Sequence, residues 1–236
     1  MQVPVSRIRD PKRISALLSL EPERTAILAA FLGTFGPGDG AWAWRAGGAT
    51  NISFVVHLTR SPRSPILFGY GPPAGTENLL AAALPELPER LLLHFPAADR
   101  EALARVFTMD VASHTVFSLV RGDPAGPDRM GKGARTTEQE REEAAPVVSR
   151  EYRTAFLERV ATPAEGRPAA TAAARHAALA RSLFDEGVET IGTVVRDDDD
   201  AGRARLATLG YVAQGHVLIG IGVLRGARRR GLSRAS

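Results

Sequence analysis

The chain of 236 residues contains no cysteine. Disulfides, thiolate metal sites and cysteine nucleophiles are therefore excluded. Lysine is nearly absent too: Lys12 and Lys132 are the only two, and the other basic side chains are arginines. We read this as a coding bias toward arginine. A formal net charge of +4 is too small to mark an anion-seeking surface by itself. No apolar run approaches the roughly 20 residues needed to span a bilayer. The opening MQVPVSRIRDPKR lacks the apolar core of a secretory signal. The expectation is a cytoplasmic protein without membrane contact. With 44% hydrophobic and 24% charged residues, the composition is that of an ordinary globular chain. It is long enough to bury a core without staples, as one large domain or two small ones.

Apolar spacing over 11–35 predicts two helices, parted at LEPER, where Pro22 suits a first turn and not an interior. AWAWRAGGATNISFVVHL reads as a hairpin with a turn signal at Gly47-Gly48, and SPILFGYG as a third strand. Thr76 is the expected N-cap of a helix over GTENLLAAAL. RLLLHF then reads as a strand, DREALARVF as a helix capped by Asp99, and HTVFSLV as another strand. The polar, Gly- and Pro-rich stretch 121–149 reads as a linker, with one exposed helix over 136–145. It separates an N-terminal domain, 1–120, from a second region, 150–225. The basic end, 226–236, reads as a disordered tail.

In the second region EYRTAFLERVAT predicts a strand, and 168–186 an alanine-rich helix with Pro168 in its first turn and Gly187 just past its end. His176, Leu179, Ala180, Leu183 and Phe184 share one face of that helix. VETIGTVV is apolar and β-branched, fit for a buried central strand. A short helix to Leu209 and two further strand segments in YVAQGHVLIGIGVLR follow. The alternation of strands and helices indicates an α/β architecture.

Four consecutive aspartates, Asp197 to Asp200, join the central strand to the short helix. A calcium loop starting at Asp197 would place its closing glutamate at Thr208, where none stands. Aspartate is instead favoured at helix N-caps and first turns, and we read the run as the start of the helix. GYGPPAGTENLL has the look of a glycine-rich phosphate loop, but no lysine follows Gly75; it reads as a tight turn. The terminal RGARRRGLSR carries arginines able to release counterions from nucleic acid. No aromatic residue is interleaved to stack on bases, so it reads as a solvated basic terminus and nucleic acid is not an expected partner.

TVVRDDDDAGRARLATLGY and VATPAEGRPAATA together resemble the GNAT superfamily, the acyl-CoA-dependent N-acyltransferases. The first stretch is similar to a family pattern of the form NVRxDNxxAxxxYxxLGF, through Val195, Arg196, Asp198, Leu209, Gly210 and the aromatic Tyr211. The second is similar to VxTxPxxRGxGxA, with Arg167 on the motif arginine and Ala172 on the final alanine. The two motifs cover roughly 150–225. The N-terminal half, through LEPERTAILAAFL, SPRSPILFGYG and LLLHFPAADREALARVF, resembles the first half of tandem members and repeats the same order of elements in degenerate form.

The resemblance implies an α/β fold with a GNAT-like mixed sheet flanked by helices, in two GNAT-like halves. It implies acetyl-CoA, or another acyl-CoA, as co-substrate and an amine of a small molecule or a protein as acceptor; homo-oligomer formation stays open. The pantetheine arm would pair with the backbone at Val160 and Thr162. The diphosphate would lie at Arg167, Ala169, Ala170 and Thr171, where unpaired N–H groups and the helix dipole attract phosphate. Pro168 has no N–H to donate and Ala170 replaces a glycine, while Arg167 adds a charged contact. The family's asparagine place falls on Asp199. Its usual acid, a tyrosine, falls on Leu206, which has no proton to give. Glu158 is the candidate base; Tyr211 and His176 read as packing residues. The helices and hairpin that precede the first motif in the family are either missing or supplied by the first half. Hence two readings stand: an N-acyltransferase, or a catalytically weakened relative acting as a CoA-binding scaffold, sensor or partner subunit.

Overall fold

The computed structural model describes residues 5–35, 41–47, 52–59, 65–122, 146–157 and 169–225. In chain order the elements are β1 (Val5–Ile8), α1 (Pro11–Leu18), α2 (Pro22–Phe35), β2 (Ala41–Gly47), β3 (Ile52–Leu58), β4 (Ile66–Tyr70), α3 (Thr76–Ala83), β5 (Arg90–Pro96), α4 (Arg100–Val106), β6 (Phe107–Val120), β7 (Val147–Ser149), β8 (Thr154–Leu157), α5 (Ala169–Asp185), β9 (Thr190–Arg196), α6 (Asp200–Thr208) and β10 (Val212–Leu224). The fold is a mixed α/β sheet with flanking helices. The expected helix 136–145 and the tail 226–236 lie outside the described residues, as does most of the stretch read as a linker.

The chain forms two compact units, and neither is a continuous stretch of sequence. One contains 1–14, 35–113 and 216–236; the other contains 15–34 and 114–215. Both β6 and β10 are long strands that contribute one part to each unit.

In the first unit β1, β2, β3 and β4 pair antiparallel in sequence order. β4 and β5 are parallel, joined through α3, and β5 pairs antiparallel with β10 from Val217↔Pro96 to Val223↔Arg90. One face of these strands presents Trp44, Val55, Leu67, Leu93 and Phe95 to Leu79, Leu80 and Ala83 of α3 and Leu103 of α4. Each such apolar side chain contributes about 1.5–3 kcal/mol on full burial.

In the second unit β7 and β8 are antiparallel, β8 and β9 parallel, and β9 and β6 antiparallel from His114↔Arg196 to Val120↔Thr190. Ala155, Leu157, Ile191 and Val195 face α5 and α6 through Leu179, Ala180, Leu183 and Leu206. The opposite face is covered by α2. A Cβ on Gly192 of β9 would lie 2.8 Å from the Ile27 side chain and 3.4 Å from the Ile27 backbone nitrogen. A Cβ on Gly33 of α2 would lie 1.8 Å from Ser149 Oγ in β7. Phe31 and Phe156 stack tilted with centroids 5.4 Å apart, and the Thr34 hydroxyl reaches the Val148 carbonyl at 3.0 Å. Gln214 Nε2 donates to Ser118 Oγ at 2.8 Å and to Glu23 Oε2 at 3.0 Å. A helix from the first half thus serves the second unit.

Several local expectations differ from the structure. Thr76 is the first residue of α3, not its cap; Gly75 holds the cap position without a side-chain bond. Asp99 does stand at the cap of α4 but makes no capping bond, because its carboxylate is engaged by Thr76. β6 begins at Phe107, seven residues before the expected start at His114. The last two strand segments are one strand, β10, with Gly215 at φ +139° absorbing the irregularity. Among the described residues no helix is long and apolar enough to cross a membrane.

An unhindered Gly→Ala change inside a helix gains about 1 kcal/mol. Gly33→Ala is expected to do the reverse, lowering stability by about 1–3 kcal/mol through overpacking against Ser149. Urea denaturation checks the sign, and Ser149→Gly in the same chain recovers part of the loss.

Candidate functional site

The site is built around the parallel pair β8 and β9. Their described pairing runs from Thr154↔Thr190 to Leu157↔Thr193. Thr193 Oγ1 donates to the Leu157 carbonyl at 2.7 Å, and Thr193 is buried. β9 continues to Arg196 with β6 along its other edge. The crossover carries the 17-residue α5, which starts at Ala169. Ligands in open α/β sheets gather beyond the carboxyl ends of parallel strands, and a helix that starts there offers unpaired N–H groups and a positive dipole end. The first turn of α5 carries no acidic residue. Glu158, Val160, Thr162, Arg167 and Pro168 lie outside the described residues; of Ala169, Ala170 and Thr171 the helical backbone alone is described.

The aspartate turn after β9 is held by protein contacts at every member. Asp197 Oδ1 accepts from the Thr115 hydroxyl of β6 at 2.7 Å. Asp198 takes both Nε and an Nη of Arg196, at 2.9 and 2.8 Å. This hydrogen-bonded pair lowers the Asp198 carboxyl pKa and raises that of Arg196. Asp199 Oδ1 accepts the Gly202 N–H at 2.8 Å and caps α6. Asp200 pairs with Arg203, whose guanidinium also reaches the Asp197 carbonyl. The helix-start reading accounts for the run, and Asp199, placed at the cofactor by resemblance, has one carboxylate oxygen committed to the cap. Among the described residues no group of three or more His, Asp or Glu side chains could hold a metal ion. The Thr115 bond spans 82 residues of sequence, and no local signal announces it.

Leu206, at the family's tyrosine place, is 0% exposed and sits in the second unit's core. Beside it, Tyr211 and His176 form a buried pair, Tyr211 Oη to His176 Nε2 at 2.7 Å, with ring centroids 5.3 Å apart. Burial, with Arg205 adding, pushes His176 down to about 4, and burial pushes the Tyr211 phenol up. The pair fastens α5 to the segment that follows α6. Both residues pack in the core, as expected from the sequence.

No protein-family profile matches the chain, and no curated protein sequence does. In fold the chain is similar to several solved structures. One is a Drosophila protein, 12% identical over 90% of this chain and 86% of that one, with a TM-score of 0.52. Another is a GCN5-related N-acetyltransferase from Sphaerobacter thermophilus, 15% identical over 93% and 96%, with a TM-score of 0.47. A third is a tandem GNAT protein from the clavulanic acid biosynthesis pathway, 12% identical over 94% and 98%, with a TM-score of 0.45. At such identities the likeness concerns the fold alone, and the two scores below 0.5 carry nothing further.

His57 on β3 is buried like His176, and desolvation pushes it too down to about 4. Both folded-state values lie below the unfolded value of about 6.5. As pH falls below about 6.5 the unfolded chain binds protons that the folded chain does not, so stability declines until about 4. Urea midpoints between pH 7.5 and 4 are expected to fall through that window. His57→Phe, which removes one of the two protons, is expected to flatten the slope. Tyr211→Phe, which leaves His176 Nε2 unpaired, is expected to cost about 1–3 kcal/mol at pH 7.

Proposed function

We propose that the chain transfers an acyl group, acetyl in the first instance, from acyl-CoA to an amine of a small molecule or a protein, in the cytoplasm. The observation that carries this reading is the parallel pair β8 and β9 with the helix α5 in the crossover between them. Of the motif residues quoted above, Val195 and Arg196 fall on β9 and Ala172 on α5, while Asp198, Leu209, Gly210 and Tyr211 lie in the turns on either side of α6. In this reading Arg167 and the backbone of Ala169, Ala170 and Thr171 hold the diphosphate, and Val160 and Thr162 pair with the pantetheine arm. Asp199 borders the cofactor with the carboxylate oxygen left over from its cap. Acyl-CoA, when bound, supplies the thioester. The acceptor attacks the thioester carbonyl as a neutral amine, the new C–N bond replaces the C–S bond, Glu158 takes up the amine proton, and CoA leaves as its thiolate and takes a proton from water.

A second reading is favoured by Leu206. Its burial in the core leaves the usual place of the acid without a proton donor, which suits a scaffold or sensor that binds CoA and turns over slowly or not at all.

Calorimetric titration with acetyl-CoA followed by a thiol-release assay over an amine panel separates these. Binding plus turnover, with turnover lost in Glu158→Gln at unchanged acetyl-CoA affinity, supports the transferase. Binding without turnover on any amine selects the second reading, and no binding removes both. Arg167→Ala is expected to weaken acetyl-CoA about tenfold, near 1.4 kcal/mol for one charge-assisted contact.

A further inference from the structure

The first unit repeats the series of strand, helix and strand, and there every residue from 65 to 113 is described. β4 and β5 are parallel and pair from Ile66↔Leu92 to Phe68↔His94, with Gly69 and Phe95 just beyond the last pair. The turn 71–75 leads into α3. Like β8 and β9, β4 and β5 are a parallel pair with a helix in the crossover.

Pro72 and Pro73 have no N–H to offer. The Gly75 N–H is bonded to the Pro72 carbonyl at 3.4 Å, and the Thr76 N–H to the Pro73 carbonyl. Two donors of this turn are thus absent, and those of Gly75 and Thr76 are turned inward. Where the strands part, a Cβ on Gly69 would lie 2.1 Å from the Phe95 ring, so that ring rests directly on the β4 backbone.

Asp99 completes the closure. It is 1% exposed and stands at the cap position of α4, yet makes no bond there. Its Oδ1 instead accepts from the hydroxyl of Thr76, the first residue of α3, at 2.8 Å, and Thr76 is buried as well. The next residue, Glu77, adds a second carboxylate, already paired with Arg105. Desolvation raises the Asp99 carboxyl, and the Thr76 bond opposes it. A carboxylate withdrawn from water is tolerated where it meets donors and the positive end of a helix.

We infer that Asp99 is an internal anion at the start of α3: it takes the place of an external diphosphate and shuts the first unit to such ligands, so that acyl-CoA is held at α5 alone. The statement about α5 rests on the function proposed above; the closure at α3 does not.

Amide NMR of the full chain at pH 7 tests this, with inorganic pyrophosphate as one probe and acetyl-CoA as the other. The amides of Ala74, Gly75, Thr76 and Glu77 are expected to stay in place with both, and the Asp99 carboxyl carbon to read as ionised. A saturable shift of those amides with either probe, or a neutral Asp99, overturns the inference. Asp99→Asn keeps the shape and removes the charge. Those amides should then respond to pyrophosphate, with an affinity gain of about tenfold or more over the wild type. Continued silence in a folded Asn variant overturns the part given to Asp99, and if the variant does not fold the wild-type measurements decide. If acetyl-CoA moves no amide anywhere, the proposed function fails, while the pyrophosphate result still settles α3.

Discussion

The second unit depends on the close approach of α2 to β7 and β9. Gly33 and Gly192 leave no room for a methyl group on either element, so helix and strands meet at backbone distance. Contact at that distance gathers dispersion energy over many atoms and tolerates little displacement. It also fixes which face of the strands is left for α5 and α6. Without α2, Phe156 and the small Gly192 would present one face of a short sheet to water. The site proposed at α5 therefore stands on a helix that lies more than 130 residues earlier in the chain.

Most single elements were legible in the sequence. The Pro22 break, the hairpin strands, the buried face of α5 and the β-branched central strand all follow from spacing and residue type, because those signals are local. What was not legible is pairing at long range. Nothing in residues 15–34 points to a second unit whose strands begin at 114, and β10 read as two strands because the glycines that bend it look like punctuation. Thr76 was misplaced for a related reason. A threonine beside a glycine suggests a cap, but a buried carboxylate 23 residues on was the better partner for its hydroxyl. Of the candidate site, the aspartate turn was readable as a helix start, while its tether to Thr115 was not.

The two strand–helix–strand series treat negative charge in opposite ways. At α3 the chain supplies its own carboxylates, Asp99 and Glu77, together with two prolines. At α5 the first turn is Ala169, Ala170 and Thr171, preceded by Arg167, with no acidic residue. The first turns of the two helices thus differ in charge, acidic at α3 and free of acidic residues at α5. The polar atoms of Tyr211 and His176 satisfy each other inside an otherwise apolar core.

The interleaving of the two units has a consequence for biosynthesis. Domains ordinarily fold as units, the N-terminal one first, while the ribosome is still at work. Here β5 acquires its antiparallel neighbour β10 only when residues 217–223 have been made. Until then the nascent first unit carries an open sheet edge along Leu91, Leu93 and Phe95, a template for pairing with other chains. That edge is sealed only by a strand that lies more than 120 residues further along the chain, so the first unit cannot complete its sheet as its own residues emerge.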